Sequence, residues 1–225
     1  FFEPATFAPA LAGCESLFLL RPPAISQVRR TLLPFLDAAR SLGVRQVVFL
    51  SVQGADKNRL IPHHAVEQHL QAGPAFWTLL RPGFFAQNCG DAYRRDITRD
   101  GRVYVPAGDG RVAFIDTRDI AEVAAMALLA PGAHAGQAYV LTGPTAVSFG
   151  QAARLLSEAL GRPIRYEPAS ILGYVRHLLR QNAPLAQAAV LTLLHVGLRL
   201  GQAESTDPTL ARLLGHPGRT LAEYI

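Results

Sequence analysis

Two adjacent histidines, His63 and His64, precede a carboxylate, Glu67, in the stretch from Gln46 to Asn88. His63 and Glu67 are four residues apart, which on a helix puts both on one face. A carboxylate there would favour protonated histidine and make His63 a proton donor near neutral pH. Ser51 ends the apolar run QVVFL, and its hydroxyl could bond a carbonyl or a ribose. The alternatives are ordinary first-turn histidines, a packing carboxylate and a turn-capping serine.

These residues need elements to aim them. Gln46–Leu50 and Phe76–Leu80 are apolar runs that stop abruptly, the first at Ser51-Val52 and the second at Arg81-Pro82-Gly83-Phe84-Phe85. Buried parallel strands look like this where their carboxyl ends open onto a crevice. A third such run, Ser16–Leu20, ends in Arg21-Pro22-Pro23. Helical spacing covers Ile25–Leu42, where Pro34 predicts a kink, and also Ile61–Leu70 and Asp116–Leu129. A helix is expected from Asn88 to about Arg95. Val103–Pro106 and Val112–Ile115 read as short strands around the turn Gly108-Asp109-Gly110. Ala138–Leu141 and Ile164–Tyr166 are further strands. Ser148-Phe149-Gly150-Gln151 and Thr220–Glu223 are capping boxes that start helices, and the C-terminal third is mainly helical.

Alternating helices and strands of this kind specify an α/β fold: a Rossmann-like, doubly wound parallel sheet with a small, mainly helical C-terminal lobe. A boundary near residue 145 is expected, with 1–145 forming the sheet domain, some of its residues contributing to the lobe, and 146–225 the lobe. The chain opens partway into the α/β repeat. A glycine-rich turn for a pyrophosphate is absent, as are two strand–helix units of about 30 residues each. A chain that has lost its N-terminus is the expected reading, ahead of a shortened protein.

With 225 residues, 49% hydrophobic and 17% charged, a sizeable core is available. The net charge of +5 comes almost wholly from scattered arginines, Lys57 being the one lysine. No basic run interleaved with aromatics suggests nucleic acid. Cys14 and Cys89 fit free thiols in a reducing, cytoplasmic setting, and no group has metal-ligand spacing. Ala183–Leu200 is apolar, but Gln187, His195 and Arg199 interrupt it. It is expected to be a core helix, a lid or the interface of a homodimer rather than a membrane span.

The segments LFLLRPP, VVFLSVQGA, the H-x-x-x-E of His63 to Glu67, WTLLRPGFFAQN, FIDTRDIAEVAA and YVLTGPTAVSFGQAARLLSEALGRPIRYE occur in that order. In this the chain resembles the NmrA-like atypical short-chain dehydrogenases/reductases, the group of quinone-oxidoreductase-like and triphenylmethane-reductase-like proteins. The resemblance implies binding of NADP or NAD, with NADP slightly favoured, and hydride transfer to a quinone-like or other small electrophile. Its alternative is a non-catalytic NAD(P) sensor that acts through a protein partner. Leu20, Arg21, Pro22, Ser51, Val52, Pro82, Gly83 and Phe84 would line the cofactor, and Phe85 and Asn88 the substrate. None of the chain's tyrosines has a lysine four residues on, so the usual tyrosine–lysine donor is missing. His63 and Glu67 would take those two positions.

Overall fold

The computed structural model describes residues 1–73 and 76–225. In chain order the elements are α1 (Phe7–Leu11), β1 (Ser16–Leu20), α2 (Leu32–Ser41), β2 (Gln46–Leu50), α3 (Pro62–Gln71), β3 (Phe76–Pro82), β4 (Arg102–Val105) and β5 (Arg111–Val112). Then come α4 (Thr117–Leu129), α5 (Pro131–His134), β6 (Gln137–Leu141), β7 (Val147–Ser148), α6 (Phe149–Leu160) and β8 (Arg165–Pro168). Four helices finish the chain: α7 (Ile171–Arg180), α8 (Leu185–Arg199), α9 (Thr209–Leu214) and α10 (Leu221–Tyr224).

The chain divides into two compact units, Phe1–Pro82 with Arg118–Leu141, and Gly83–Thr117 with Thr142–Ile225. Residues before 145 thus group with the later part of the chain, and strand pairing is the reason. In the segment Gly83–Thr117, β4 pairs with β8 and β5 with β7, so its backbone hydrogen bonds are made with the later part of the chain.

The first unit is a four-stranded parallel sheet in the order β1-β2-β3-β6. β2 is buried on both faces, which is why its sequence is a continuous apolar run instead of an alternating one. Phe49, Val48, Leu79 and Leu80 are fully buried. At the amino end of the sheet a buried Gln46 accepts from Ser16 Oγ at 2.9 Å and donates to the Ala127 carbonyl at 2.5 Å. Because strands of a parallel sheet all end on the same side, Leu20, Leu50 and Pro82 bring the loops that follow them to one edge.

Three local expectations need correction. The first helix after β1 begins only at Leu32, behind a 3-10 turn at Val28–Arg30. Pro34 therefore falls in the first helical turn, where its missing N–H has no intrahelical partner to lose and no reason to kink the helix remains. The strands around Gly108-Asp109-Gly110 do not form a hairpin with one another. β4 runs parallel to β8, and β5 antiparallel to β7. The expected helix beyond Asn88 is instead a 3-10 turn, Ala86–Cys89, followed by a π-helical turn, Asp96–Asp100.

In the second unit Phe114, Phe149, Tyr93 and Tyr174 fill an aromatic core. Both capping boxes form: Ser148 Oγ accepts from Gln151 N, and Thr220 Oγ1 from Glu223 N. α8 is partly buried through Ala188, Thr192, His195 and Leu198, while Val190 and Leu193 are exposed. Among the described residues no helix is long and apolar enough to cross a membrane.

Candidate functional site

At the carboxyl edge of the first unit's sheet the backbone ladder runs one step past the strands. Ser51 N donates to Leu80 O at 2.7 Å, and Gln53 N donates to Pro82 O at 2.9 Å. Ser51 is thereby buried and fixed beside β3. Its Oγ donates to Glu67 Oε1 at 2.5 Å. Glu67 is fully buried on α3. Arg81, from β3, clasps it with both arms, Nε to Oε1 at 3.1 Å and Nη2 to Oε2 at 2.7 Å. A third Arg81 nitrogen, Nη1, lies 3.4 Å from Asp56. Strand β2, helix α3 and strand β3 are thus joined through one carboxylate. A bidentate guanidinium–carboxylate pair is among the strongest and most directional polar contacts available in a protein interior.

Glu67 was expected to serve His63, and the structure corrects this. Both oxygens of Glu67 are bonded to Ser51 and Arg81. The cation, not the carboxylate, is the neighbour of His63: Arg21 Nε donates to His63 Nε2 at 3.3 Å. Phe49 lies against the imidazole with ring centroids 5.9 Å apart. Burial, with the positive charge of Arg21 adding to it, pushes the His63 pKa down to about 4. His63 is therefore neutral at pH 7. Arg21 itself is held by its own loop, with Nη1 donating to the carbonyls of Pro22, Pro23 and Ile25 at 3.2, 3.3 and 2.6 Å. These contacts make it an organiser of the loop after β1 and a support for His63.

An arginine Nε–H has no lone pair, so His63 Nε2 must be the acceptor. The single proton of the neutral ring then sits on Nδ1. Among the described residues that buried Nδ1 has no hydrogen-bond partner. An unmatched buried donor is costly, on the order of 1–3 kcal/mol, unless something supplies an acceptor.

The other sequence-predicted residues belong to two groups. Leu20, Arg21, Pro22, Val52 and Pro82 stand at the strand ends of the first unit, as the apolar runs implied. Gly83, Phe84, Phe85 and Asn88 belong to the second unit. There Phe84 packs edge-on against Phe114 at 5.7 Å, and Phe85 bridges Ile115 in parallel register. His64, next to His63, faces elsewhere, with Nδ1 at 2.7 Å from the Ala55 carbonyl.

Two functional-looking features escaped the sequence reading. Arg81 was seen only as the end of a strand. The available signal was a lone cation closing an otherwise apolar run, which needs a buried anion. In the second unit Tyr93 OH lies 2.6 Å from His195 Nε2, and His195 Nδ1 lies 2.7 Å from the Leu191 carbonyl. Burial pushes the His195 pKa down to about 4. Both ring nitrogens are satisfied there, so this pair is a polar tie inside the core.

The NAD(P)H azoreductase of Xenophilus azovorans is 34% identical over 226 residues, covering 99% of this chain and 78% of the relative. The chain belongs to the NmrA-like family of atypical short-chain dehydrogenases/reductases. No family model matches it. The NADPH-dependent quinone oxidoreductase QOR2 of Escherichia coli, solved with NADPH, superposes with a TM-score of 0.86 at 29% identity, covering 99% of this chain and 79% of that one. NmrA, a negative transcriptional regulator solved with NAD, has a TM-score of 0.74 over 98% of this chain and 76% of its own. At 14% identity that likeness shows the fold alone.

Two outcomes follow. Glu67→Gln takes the bidentate partner from Arg81, leaves Asp56 at 3.4 Å as its counter-charge, and should lower unfolding stability by about 2–3 kcal/mol. Urea denaturation checks this, and a loss below about 1 kcal/mol would contradict the pairing. The second concerns pH. A histidine whose folded pKa lies at about 4, below the usual value near 6.5, stabilises the fold fully above pH 6.5. That contribution, at most about 3 kcal/mol, disappears as the pH falls from 6.5 to 4. His63→Asn should flatten the fall in the urea midpoint across this window, whereas an unchanged slope would show that His63 is not held neutral.

Proposed function

We propose that the chain is an NAD(P)H-dependent oxidoreductase that reduces a quinone-like or other small electrophilic acceptor, with neutral His63 hydrogen-bonding the acceptor oxygen. The observation that carries this reading is the buried, unpartnered Nδ1–H of His63 beside the strand ends. Family membership supports the cofactor class, and so does the fit of the residues. Leu20, Arg21 and Pro22 would flank the adenosine half of the dinucleotide, and Ser51, Val52 and Pro82 would hold the nicotinamide half. A bound NAD(P)H supplies the hydride.

The protein's own part is electrostatic and positional. Ser51 donates its hydroxyl hydrogen bond to Glu67, so its oxygen is left as an acceptor for a ribose or carboxamide donor. Glu67 and Arg81 keep that oxygen in place. Reduction of a carbonyl-type acceptor leaves negative charge on its oxygen, and His63 Nδ1–H stabilises that charge as it develops. A ring with a pKa of about 4 holds no second proton to give near pH 7. His63 is therefore a hydrogen-bond donor in this scheme, and the proton that neutralises the reduced acceptor comes from solvent. Cys14 and Cys89, both free thiols, support a reducing compartment such as the cytoplasm.

The full-length protein should oxidise NAD(P)H with at least one member of a quinone panel. His63→Ala should lower kcat about 100-fold while cofactor affinity stays within a few-fold. Tight cofactor binding with no turnover on any acceptor would overturn the enzyme reading in favour of a sensor. Unchanged turnover in the variant would remove His63 from the mechanism.

A further inference from the structure

The first unit has a recess on the far side of α3 from Glu67. Its volume is about 960 Å³. The 3-10 turn Val28–Arg30, the loop Arg59–Ile61 and the solvent-facing residues of α3 wall it. His63 and Glu67 are buried on α3, whereas His64 and Gln68, which line the recess, are half-buried and exposed. A molecule in the recess therefore lies against a different side of α3 from the Ser51–Glu67–Arg81 cluster.

The lining is one-sided in charge. Arg29, Arg30 and Arg59 all contribute to it, and no aspartate or glutamate does. No ion pair or hydrogen bond joins any of the three side chains to another described residue. That contrasts with Arg21 and Arg81, whose guanidinium groups are engaged. His69 also lines the recess but is taken by Asp37 at 2.8 Å. His64 donates from Nδ1 to the Ala55 carbonyl, so the neutral ring offers Nε2 only as an acceptor, and its place in the lining makes it a reporter of occupancy rather than a partner of the anion. Three like charges gathered without counter-charges repel one another, and an anion relieves that repulsion. Guanidinium groups match phosphate, sulfonate and carboxylate in geometry as well as sign.

The recess also has an apolar part. Val28 and Leu33 line it, and Leu60 at its rim is 90% exposed. Covering such a side chain stabilises a complex by about 25 cal/mol for each Å² removed from water. The volume is that of a site for a small organic molecule, not a bare ion.

The geometry points to a second ligand site, for a small amphipathic anion with an apolar or aromatic body and one phosphate, sulfonate or carboxylate group. It is occupied independently of the dinucleotide.

1-Naphthyl phosphate is a suitable probe, followed by isothermal titration in the presence of saturating NADPH. It should bind one site, about tenfold or more tighter than either inorganic phosphate or neutral 1-naphthol. The triple variant Arg29→Ala, Arg30→Ala, Arg59→Ala should lose about tenfold or more of that affinity and keep its NADPH affinity. In the unaltered protein, probe binding should shift the His64 ring resonances and leave those of His63 unmoved, a readout independent of how the variant folds. Displacement of the probe by NADPH, wild-type affinity in the triple variant, or a shift at His63 instead of His64 would each overturn the proposal. Failure of NADPH to bind at all would count against the oxidoreductase reading and leave this one standing.

Discussion

A carboxylate that water does not reach has to find its counter-charge and its hydrogen-bond donors inside the protein. Glu67 is that group here, and the architecture around it follows from the requirement. Arg81 supplies the charge and two donors from β3, and Ser51 supplies a further donor from the end of β2. Isolated buried ion pairs add little net stability, because desolvation offsets the attraction. What such a pair supplies is position. With Glu67 tied to two strands, the rotation of α3 about its axis is set, and His63 one turn earlier is brought to Arg21 and Phe49.

The same arrangement decides the protonation of His63. A histidine beside an anion would be a proton reservoir near pH 7. One beside a cation and a phenyl ring is a neutral donor with a fixed tautomer, and its Nδ1–H is the one buried polar side-chain atom without a partner among the described residues at this edge of the sheet. Charge stabilisation by a preorganised donor needs no proton inventory. That suits hydride chemistry in which the acceptor oxygen gains charge before it gains a proton. In the proposed function, this donor stands in the place that a tyrosine–lysine pair takes in ordinary short-chain dehydrogenases/reductases.

Much of this fold was legible in the sequence. The runs SLFLL and QVVFL mark β1 and β2 to the residue because their ends are abrupt; β2 is buried on both faces, whereas in β1 Leu19 is buried and Phe18 and Leu20 are exposed. The two capping boxes were equally readable, because the reciprocal bonds are local. Where partners are distant in sequence the reading failed. The strands around Gly108 looked like a hairpin, yet β8 pairs with β4 from 63 positions further on, Arg102 with Arg165. Pro34 looked like a kink because spacing alone could not show that the helix starts at Leu32. In the site, the i, i+4 spacing correctly put His63 and Glu67 on one helix. It could not reveal that Arg81, 14 residues beyond Glu67, would claim the carboxylate first, nor that Arg21 would reach His63.

The account turns on the state of one ring, which long-range ¹H–¹⁵N correlation spectroscopy on histidine-labelled protein reads directly. Titrated from pH 8 to pH 4, His63 should show the neutral pattern with its proton on Nδ1 down to pH 5 and begin to protonate only near pH 4. An imidazolium at pH 7, or a neutral ring with its proton on Nε2, would contradict both the Arg21 contact and the role assigned to His63.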